Sequence, residues 1–430
     1  MPSITETLEL LGTESLKKKF NLLYGDDQNV ISGQIERYSQ LIKNYEQRYG
    51  GQDVYLFSSP GRSEISGNHT DHNLGKVIAA SINMDCIGVA EKTDDSIVSI
   101  KSITYNEDFT IDLSRLEEHA DGSGTETLVR GILKGFVKFG FATGGFKVCI
   151  TSDVISAAGV SSSASFEMLI STILNYFYND NRMDVVACAK IGQYAENIEW
   201  DKQSGLLDQI ACGYGGLITI DFADPQVPVI QNLDFAAINE QYDLLIVPTG
   251  ANHANLSDEY SSIPSEMKAV AGYFGAKVLR ELDAGKVLGK LAEVRAEAGD
   301  RAVLRALHFF EENNRVDQQI AALNDNRAED FLRLVTASGN SSWKWLQNCY
   351  SNTTPELQGV TLYLALTELF IAQHGEGACR VHGGGFAGVI MALLPKRLTS
   401  AYIDYMSNYS SQDIYQIRIR QVGSVNINSL

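Results

Sequence analysis

Residues 60–75 read Pro60-Gly61-Arg62-Ser63-Glu64-Ile65-Ser66-Gly67-Asn68-His69-Thr70-Asp71-His72-Asn73-Leu74-Gly75, directly after the strand-like run Val54-Tyr55-Leu56-Phe57. Glycines let a backbone bend and approach a ligand closely. Between them stand a cation, a carboxylate and several hydrogen-bonding groups in what reads as one turn-rich segment. That is equipment for holding a small polyhydroxylated molecule by its hydroxyls. The same residues also suit a surface loop with helix-capping groups, and the rest of the chain has to decide between the two.

The chain has 430 residues, enough for two domains with real cores, and its 44% hydrophobic and 20% charged residues fit a globular protein. A net charge of -18 repels a polyanionic duplex, which argues against a nucleic-acid partner. No stretch approaches the roughly 18 apolar residues of a membrane span, and the N-terminus lacks a signal-peptide pattern. The expectation is a cytoplasmic protein with no membrane partner, and nothing in the sequence implies a protein partner. Cys86, Cys149, Cys188, Cys212, Cys349 and Cys379 show no CxxC spacing, which predicts reduced, mostly buried thiols. The seven histidines have no HxxxH or HExxH arrangement, so no structural metal is expected.

Apolar residues Ile35, Tyr38, Leu41, Ile42, Tyr45 and Tyr49 recur at three- and four-residue spacing, predicting an amphipathic helix over 32–49 that Gly50-Gly51 ends. A weaker helix is expected over 13–20. Strand patterns cover much of 53–90 and recur at 97–100, 146–150, 217–222 and 243–248, with helices over 125–139, 163–178 and 183–199. Helical segments follow at 263–284, 287–311, 316–322 and 328–348, and the tail is mixed. Strand runs and helix runs are segregated, which predicts an α+β fold. Residues 1–52 are expected to form a helical extension, 53–235 a first α+β domain and 236–430 a second.

Three further segments carry chemistry. Ala157-Ala158-Gly159-Val160-Ser161-Ser162-Ser163-Ala164-Ser165 precedes an apolar helix. Backbone N–H groups at a helix start, with the macrodipole behind them, form an anion site. Serine hydroxyls there can donate to phosphate or ligate Mg2+, though they also serve as simple N-caps. The glycine run 383–388, after Arg380 and before a strand, means a tight turn or a close approach to a ligand. Ser204-Gly205-Leu206-Leu207-Asp208-Gln209 offers an aspartate that is either a general base or a cap. Glu196, twelve positions before Asp208, is a possible Mg2+ ligand or a solvated face residue.

Taken together, and in this order from 58 to 395, these segments resemble the galactokinase branch of the GHMP small-molecule kinases. The opening run is similar to the signature G-R-x-N-L-I-G-E-H-T-D-Y-N and the serine segment to the phosphate loop P-x-G-x-G-L-S-S-S-A-S. Residues 205–209 are similar to G-I-M-D-Q, and 383–388 to the third, glycine-rich motif. The resemblance implies two α+β domains with the site in the cleft between them, and ATP-dependent phosphorylation of the anomeric hydroxyl of a sugar, galactose foremost. It implies Asp208 as base and Arg62 as the cation stabilising the transferring phosphoryl group. Asn68, His69, Asp71, Gly205 and Tyr260 would hold the sugar. Gly159, Ser161, Ser162 and Ser163 would cradle the phosphates of ATP, and Ser163 with Glu196 would ligate Mg2+.

The sequence also departs from the pattern. Asn68 stands where the signature has its sugar-binding glutamate, Glu64 where it has asparagine, and His72 where it has tyrosine. Ile155 and Ala157 replace a proline and a glycine of the phosphate loop, and Gly339 falls where a Ser-His pair is expected. An amide at 68 still accepts from a hydroxyl, yet it also tolerates a C6 carboxylate that a glutamate would repel. A uronic acid or an N-acetylhexosamine is therefore an alternative substrate, and a non-catalytic sugar and ATP sensor is an alternative function.

Overall fold

The computed structural model describes residues 3–51, 53–117, 124–155, 159–200, 204–250 and 256–430. Three helices open the chain: α1 (Ile4–Leu10), α2 (Glu14–Tyr24) and α3 (Gln28–Tyr49). Ser3 caps α1 through a reciprocal Ser3–Glu6 capping box, and α3 ends at Gly50 in the left-handed conformation. Then come β1 (Tyr55–Ser66), β2 (Lys76–Lys92), β3 (Ile97–Ser102), β4 (Glu107–Asp112), α4 (Thr125–Lys138), β5 (Phe146–Ser152), α5 (Ser162–Tyr178), α6 (Val185–Tyr194) and α7 (Leu207–Tyr214). A π-turn over Ala195–Glu199 extends α6. The strands β6 (Leu217–Asp221) and β7 (Val229–Leu233) complete the first half.

The second half holds α8 (Ala236–Gln241), β8 (Tyr242–Pro248), α9 (Ser257–Tyr273), α10 (Ala284–Gly289), α11 (Leu291–Ala298), α12 (Asp300–Asn324), α13 (Ala328–Ser341) and α14 (Gly359–His374). It ends with β9 (Ala378–Val381), β10 (Val389–Pro395), α15 (Thr399–Ser407), β11 (Tyr415–Ile417) and β12 (Val425–Asn426). An eight-stranded sheet runs β12-β1-β2-β5-β3-β4, with β6 on β2 and β7 on β6, and a four-stranded sheet runs β11-β8-β10-β9. The fold is α+β. The last strand returns to the first sheet beside β1, so the tail of the second half is built into the first.

Period-two alternation decides what covers the large sheet. Leu56, Ile87, Val89 and Cys149 face the opening helices, where Phe20, Tyr38, Leu41, Ile42 and Tyr45 are buried against them. Their strand neighbours Phe57, Cys86, Ala90, Val148 and Ile150 face the core formed with α4, α5 and α6. The opening helices are thus one outer layer of the sheet. A third cluster joins the sheets, with Ile65, Ile78, Val154 and Val160 packed with Leu244, Val389 and Met391.

Several details differ from the sequence reading. Residues 60–66 are not turn-rich: β1 runs through them, with register shifts between Pro60 and Arg62 and between Glu64 and Ser66. A proline in a central strand is tolerated at such an irregularity. Helix α12 is continuous where a break near 312–315 was expected, because Glu312 and Gln319 are buried on its inner face along with Phe309 and Val316. Gly339 lets α13 lie close on β9: a Cβ there would sit 2.8 Å from Arg380 Cβ. All six cysteines are free and buried. Among the described residues no helix is long and apolar enough to cross a membrane.

Candidate active site

The register shift after Pro60 brings β1 against the phosphate-loop segment. Arg62 N–H donates to Val160 O at 3.1 Å, and a Cβ on Gly61 would lie 2.7 Å from that same oxygen, so residue 61 must be glycine. Arg62 is buried. Its Nε and Nη2 both lie 2.8 Å from Asp208 Oδ1, and its Nη1 donates to Gly159 O. Burial alone would lower the Arg62 pKa, but Asp208 and Glu64 beside it outweigh that and raise it. Asp208 lies in the first turn of α7 and is 37% exposed, so its carboxylate meets both the arginine and the cavity.

Ser161 occupies the N-cap of α5 with φ of 62°, and its side chain makes no capping bond to the helix. Its Oγ instead donates to Asp208 Oδ2 at 2.5 Å. One strained residue therefore links the helix N-terminus to the aspartate. Ser163 Oγ donates to Glu196 Oε1 at 2.9 Å. Adjacent ligands of an octahedral Mg2+ at its usual bond lengths stand about 3 Å apart, so this hydroxyl–carboxylate pair fits two neighbouring positions on that ion. Gln209 Nε2 steadies Glu196 from the far side at 3.3 Å.

Arg62, Gly159, Ser161, Ser162, Ser163, Asp208 and Tyr260 all line one cavity of about 580 Å³. Its remaining wall includes Leu128, Ile150, Ile155, Phe166 and Trp200. Asp71 and Gly205 line a separate cavity of about 490 Å³ with His72, Lys190 and Lys268. A Cβ on Gly205 would meet Asp71 Oδ2 at 2.0 Å, so glycine is required for the two to pack. His69 bridges toward the glycine run, its Nε2 2.9 Å from Gly384 O. A carbonyl only accepts, so Nε2 carries the proton and Nδ1 is left as an acceptor. Burial, reinforced by His72, pushes the His69 imidazole down to about 3 and keeps it neutral.

Asn68 is placed differently from the expectation. It is fully buried, and its Nδ2 donates to Glu64 Oε1 and to Gly383 O, both at 2.8 Å. Its Oδ1 accepts from Asn348 Nδ2 at 2.8 Å and Ser342 Oγ at 3.1 Å. The amide has no free position to offer a sugar. The glycine run is a close approach: Cβ atoms on Gly384 and Gly385 would strike Tyr260 Cε1 at 2.5 Å and Asn348 O at 2.1 Å. Tyr260 OH donates to Gly385 O at 2.9 Å. Ala157 and Ala158 lie outside the described residues. The sequence reading found the polar half of the large cavity and missed the apolar half, because Leu128, Ile150, Phe166 and Trp200 come from separate elements and share no local pattern.

A serine-rich helix start and a buried arginine on an aspartate in one cavity, with Glu196 behind Ser163, are equipment for a small-molecule phosphotransferase site in an α+β fold. The family comparisons agree. Residues 43–92 match the galactokinase galactose-binding signature and 127–216 the GHMP kinases N terminal domain. The galactokinase of Actinobacillus pleuropneumoniae serotype 5b is 30% identical over 358 residues, 82% of this chain and 88% of that protein. That of Lactobacillus helveticus is 30% identical over 366 residues, covering 83% and 90%. In structure, Lactococcus lactis galactokinase complexed with galactose superposes with a TM-score of 0.78 at 24% identity over 91% of this chain and 100% of that one. Methanococcus jannaschii mevalonate kinase gives 0.60 at 16% identity over 85% and 98%. The chain belongs to the galactokinase family of the GHMP kinases.

Proposed function

We propose that this chain is an ATP-dependent sugar kinase that phosphorylates the anomeric C1 hydroxyl of galactose, releasing ADP. The observation that carries this reading is the Arg62–Asp208 pair set beside the start of α5 in a single cavity. The apolar wall of Leu128, Ile150, Phe166 and Trp200 suits a flat nucleotide base. The first turn of α5 with Ser162 and Ser163 would receive the phosphates. Mg2+ would be held by Ser163 and Glu196 and would neutralise charge on the phosphates.

In the reaction the C1 hydroxyl oxygen bonds to the γ-phosphorus while the bond from that phosphorus to the β–γ bridging oxygen breaks. The hydroxyl proton passes to Asp208. Arg62 holds Asp208 ionised and balances charge on the transferring group. Ser161 must first release Asp208 Oδ2, and it then turns to the phosphates. His69 Nδ1, Asp71, Gly205 and Tyr260 are the sugar-side groups in this reading. The protein would act in the cytoplasm on small molecules, a sugar and ATP, away from nucleic acid and membrane.

The test is ADP release with ATP and Mg2+ across a panel containing galactose, galacturonate and N-acetylgalactosamine, with Asp208→Ala alongside. Turnover on galactose that Asp208→Ala abolishes, with nucleotide binding kept, supports the proposal. Turnover confined to another sugar of the panel overturns the choice of galactose. Sugar binding without any ADP release overturns the kinase and leaves a sensor.

A further inference from the structure

The opening helices lie on the sheet face opposite the nucleotide cavity, yet one side chain reaches across to the strand ends that form it. Arg37, in the middle of α3, is 13% exposed. Its Nη1 lies 2.6 Å from Asp85 Oδ1 and 3.0 Å from Asp153 Oδ2. Its Nη2 donates to Asp85 O at 2.8 Å and to Thr151 O at 3.4 Å. Asp85 belongs to β2, Thr151 to β5, and Asp153 to the first step of the segment that leads to Gly159.

These three residues alternate with the cavity wall. Cys86 and Ser152 are paired across β2 and β5, and both line the cavity together with Ile150 and Ile155. Successive residues of a strand face opposite sides. The ladder continues for one more step, with Asp153 N–H donating to Asp85 O at 3.0 Å. That carbonyl also accepts from Arg37. One guanidinium thus fixes the end of β5 and the residue that follows it, Asp153. Asp85 is anchored independently, its Oδ2 accepting from Tyr24 OH at 2.6 Å and Arg420 Nη1 at 3.0 Å.

We infer that Arg37 is a positioning residue for the nucleotide: it holds Asp85, Thr151 and Asp153 from behind the sheet, and with them the alternating wall residues Cys86, Ile150, Ser152 and Ile155 that face the nucleotide cavity. This rests on the proposed nucleotide site. The Asp153 carboxylate is 50% exposed, so its pairing with Arg37 adds little stability. What the pairing supplies is direction. Lysine would replace it only in part, since a single ammonium lacks the planar fork that spans two carboxylates and two carbonyls.

The experiment titrates the full chain with a fluorescent ATP analogue, with no turnover required, and measures KM for ATP and for sugar separately. Asp153→Ala removes the carboxylate that meets Arg37 beyond the end of β5 and leaves Asp85 paired; Arg37→Met and Arg37→Lys accompany it. The expected result for Asp153→Ala and Arg37→Met is about fivefold or more weaker analogue binding and a matching rise in the KM for ATP. Sugar KM and kcat should stay within about twofold, and the Asp153→Ala melting temperature within about 2 °C. Arg37→Lys should fall between. Native analogue affinity in folded Asp153→Ala overturns the inference, as does an equal rise in both KM values. Failure of the unsubstituted chain to bind the analogue overturns the nucleotide site itself, and the inference with it. Should Arg37→Met fail to fold, Asp153→Ala decides alone.

Discussion

Asn68 Nδ2 donates to Glu64 Oε1 at 2.8 Å, four residues back along the same chain. The signature that this region resembles has the two residue types the other way round, asparagine first and glutamate second. In this chain the exchanged pair makes an amide–carboxylate contact. Glu64 also receives Arg380 Nη2 at 3.0 Å, so the carboxylate is buried against an arginine.

Replacing one end alone should therefore be costly. Asn68→Glu would set two buried carboxylates against each other, with an expected loss of roughly 3 kcal/mol. The double exchange Glu64→Asn with Asn68→Glu should recover a large part of that, and urea denaturation of the three variants measures it. Additive losses in the double variant would show that the contact does not couple the pair.

Gly205 is the second test. A Cβ there would stand 2.0 Å from Asp71 Oδ2, so Gly205→Ala must displace Asp71. Sugar KM should rise about tenfold or more with the KM for ATP unchanged. A Gly205→Ala enzyme with native sugar KM would remove Asp71 from the sugar site.

The Ser163–Glu196 pair makes a statement about the metal. Glu196→Gln keeps the shape and removes the charge. The Mg2+ concentration for half-maximal turnover should rise roughly tenfold or more, with excess Mg2+ restoring activity. An unchanged Mg2+ dependence would place the ion elsewhere.

Glu312 ties stability to pH. It is fully buried, and burial opposes its charge. His308, Arg315 and Arg380 outweigh burial and hold the carboxyl at about 2, against 4.5 for an ordinary glutamate. A carboxyl depressed on folding stabilises the fold above about pH 4.5 and loses that contribution as pH falls toward 2. The contribution is on the order of 3 kcal/mol. Thermal unfolding followed from pH 7 to pH 3 should show a steep loss below pH 4.5 that is shallower in Glu312→Gln. Parallel profiles would assign the acid sensitivity to other groups.

What was legible in the sequence was local. The α3 stripe of Tyr38, Leu41, Ile42 and Tyr45 is buried as its spacing implied, because helix period depends on backbone geometry alone. The serine-rich start of α5 and the glycines at 61, 205 and 384 could be marked from residue type, since each serves a backbone that must be closely approached. The same local reading made 60–75 one turn-rich segment within a strand-like 53–90, because nothing within it reveals that β2 pairs alongside residues 60–66.

The decisive contacts are remote in the chain. Arg62 meets Asp208 across 146 positions, and Asn68 meets Asn348 across 280. Motif order could nominate Arg62 and Asp208 for one site, and it nominated Asn68 equally. Only packing separates them. Asp208 stands at a helix start that opens on the cavity, whereas the second half of the chain closes over Asn68 and fills every hydrogen-bonding position that Glu64 leaves. Composition and motif identity thus determined the class of chemistry from residue type and spacing. Which of those residues face the substrates depended on burial and pairing between distant segments, quantities that exist only once the two sheets have come together.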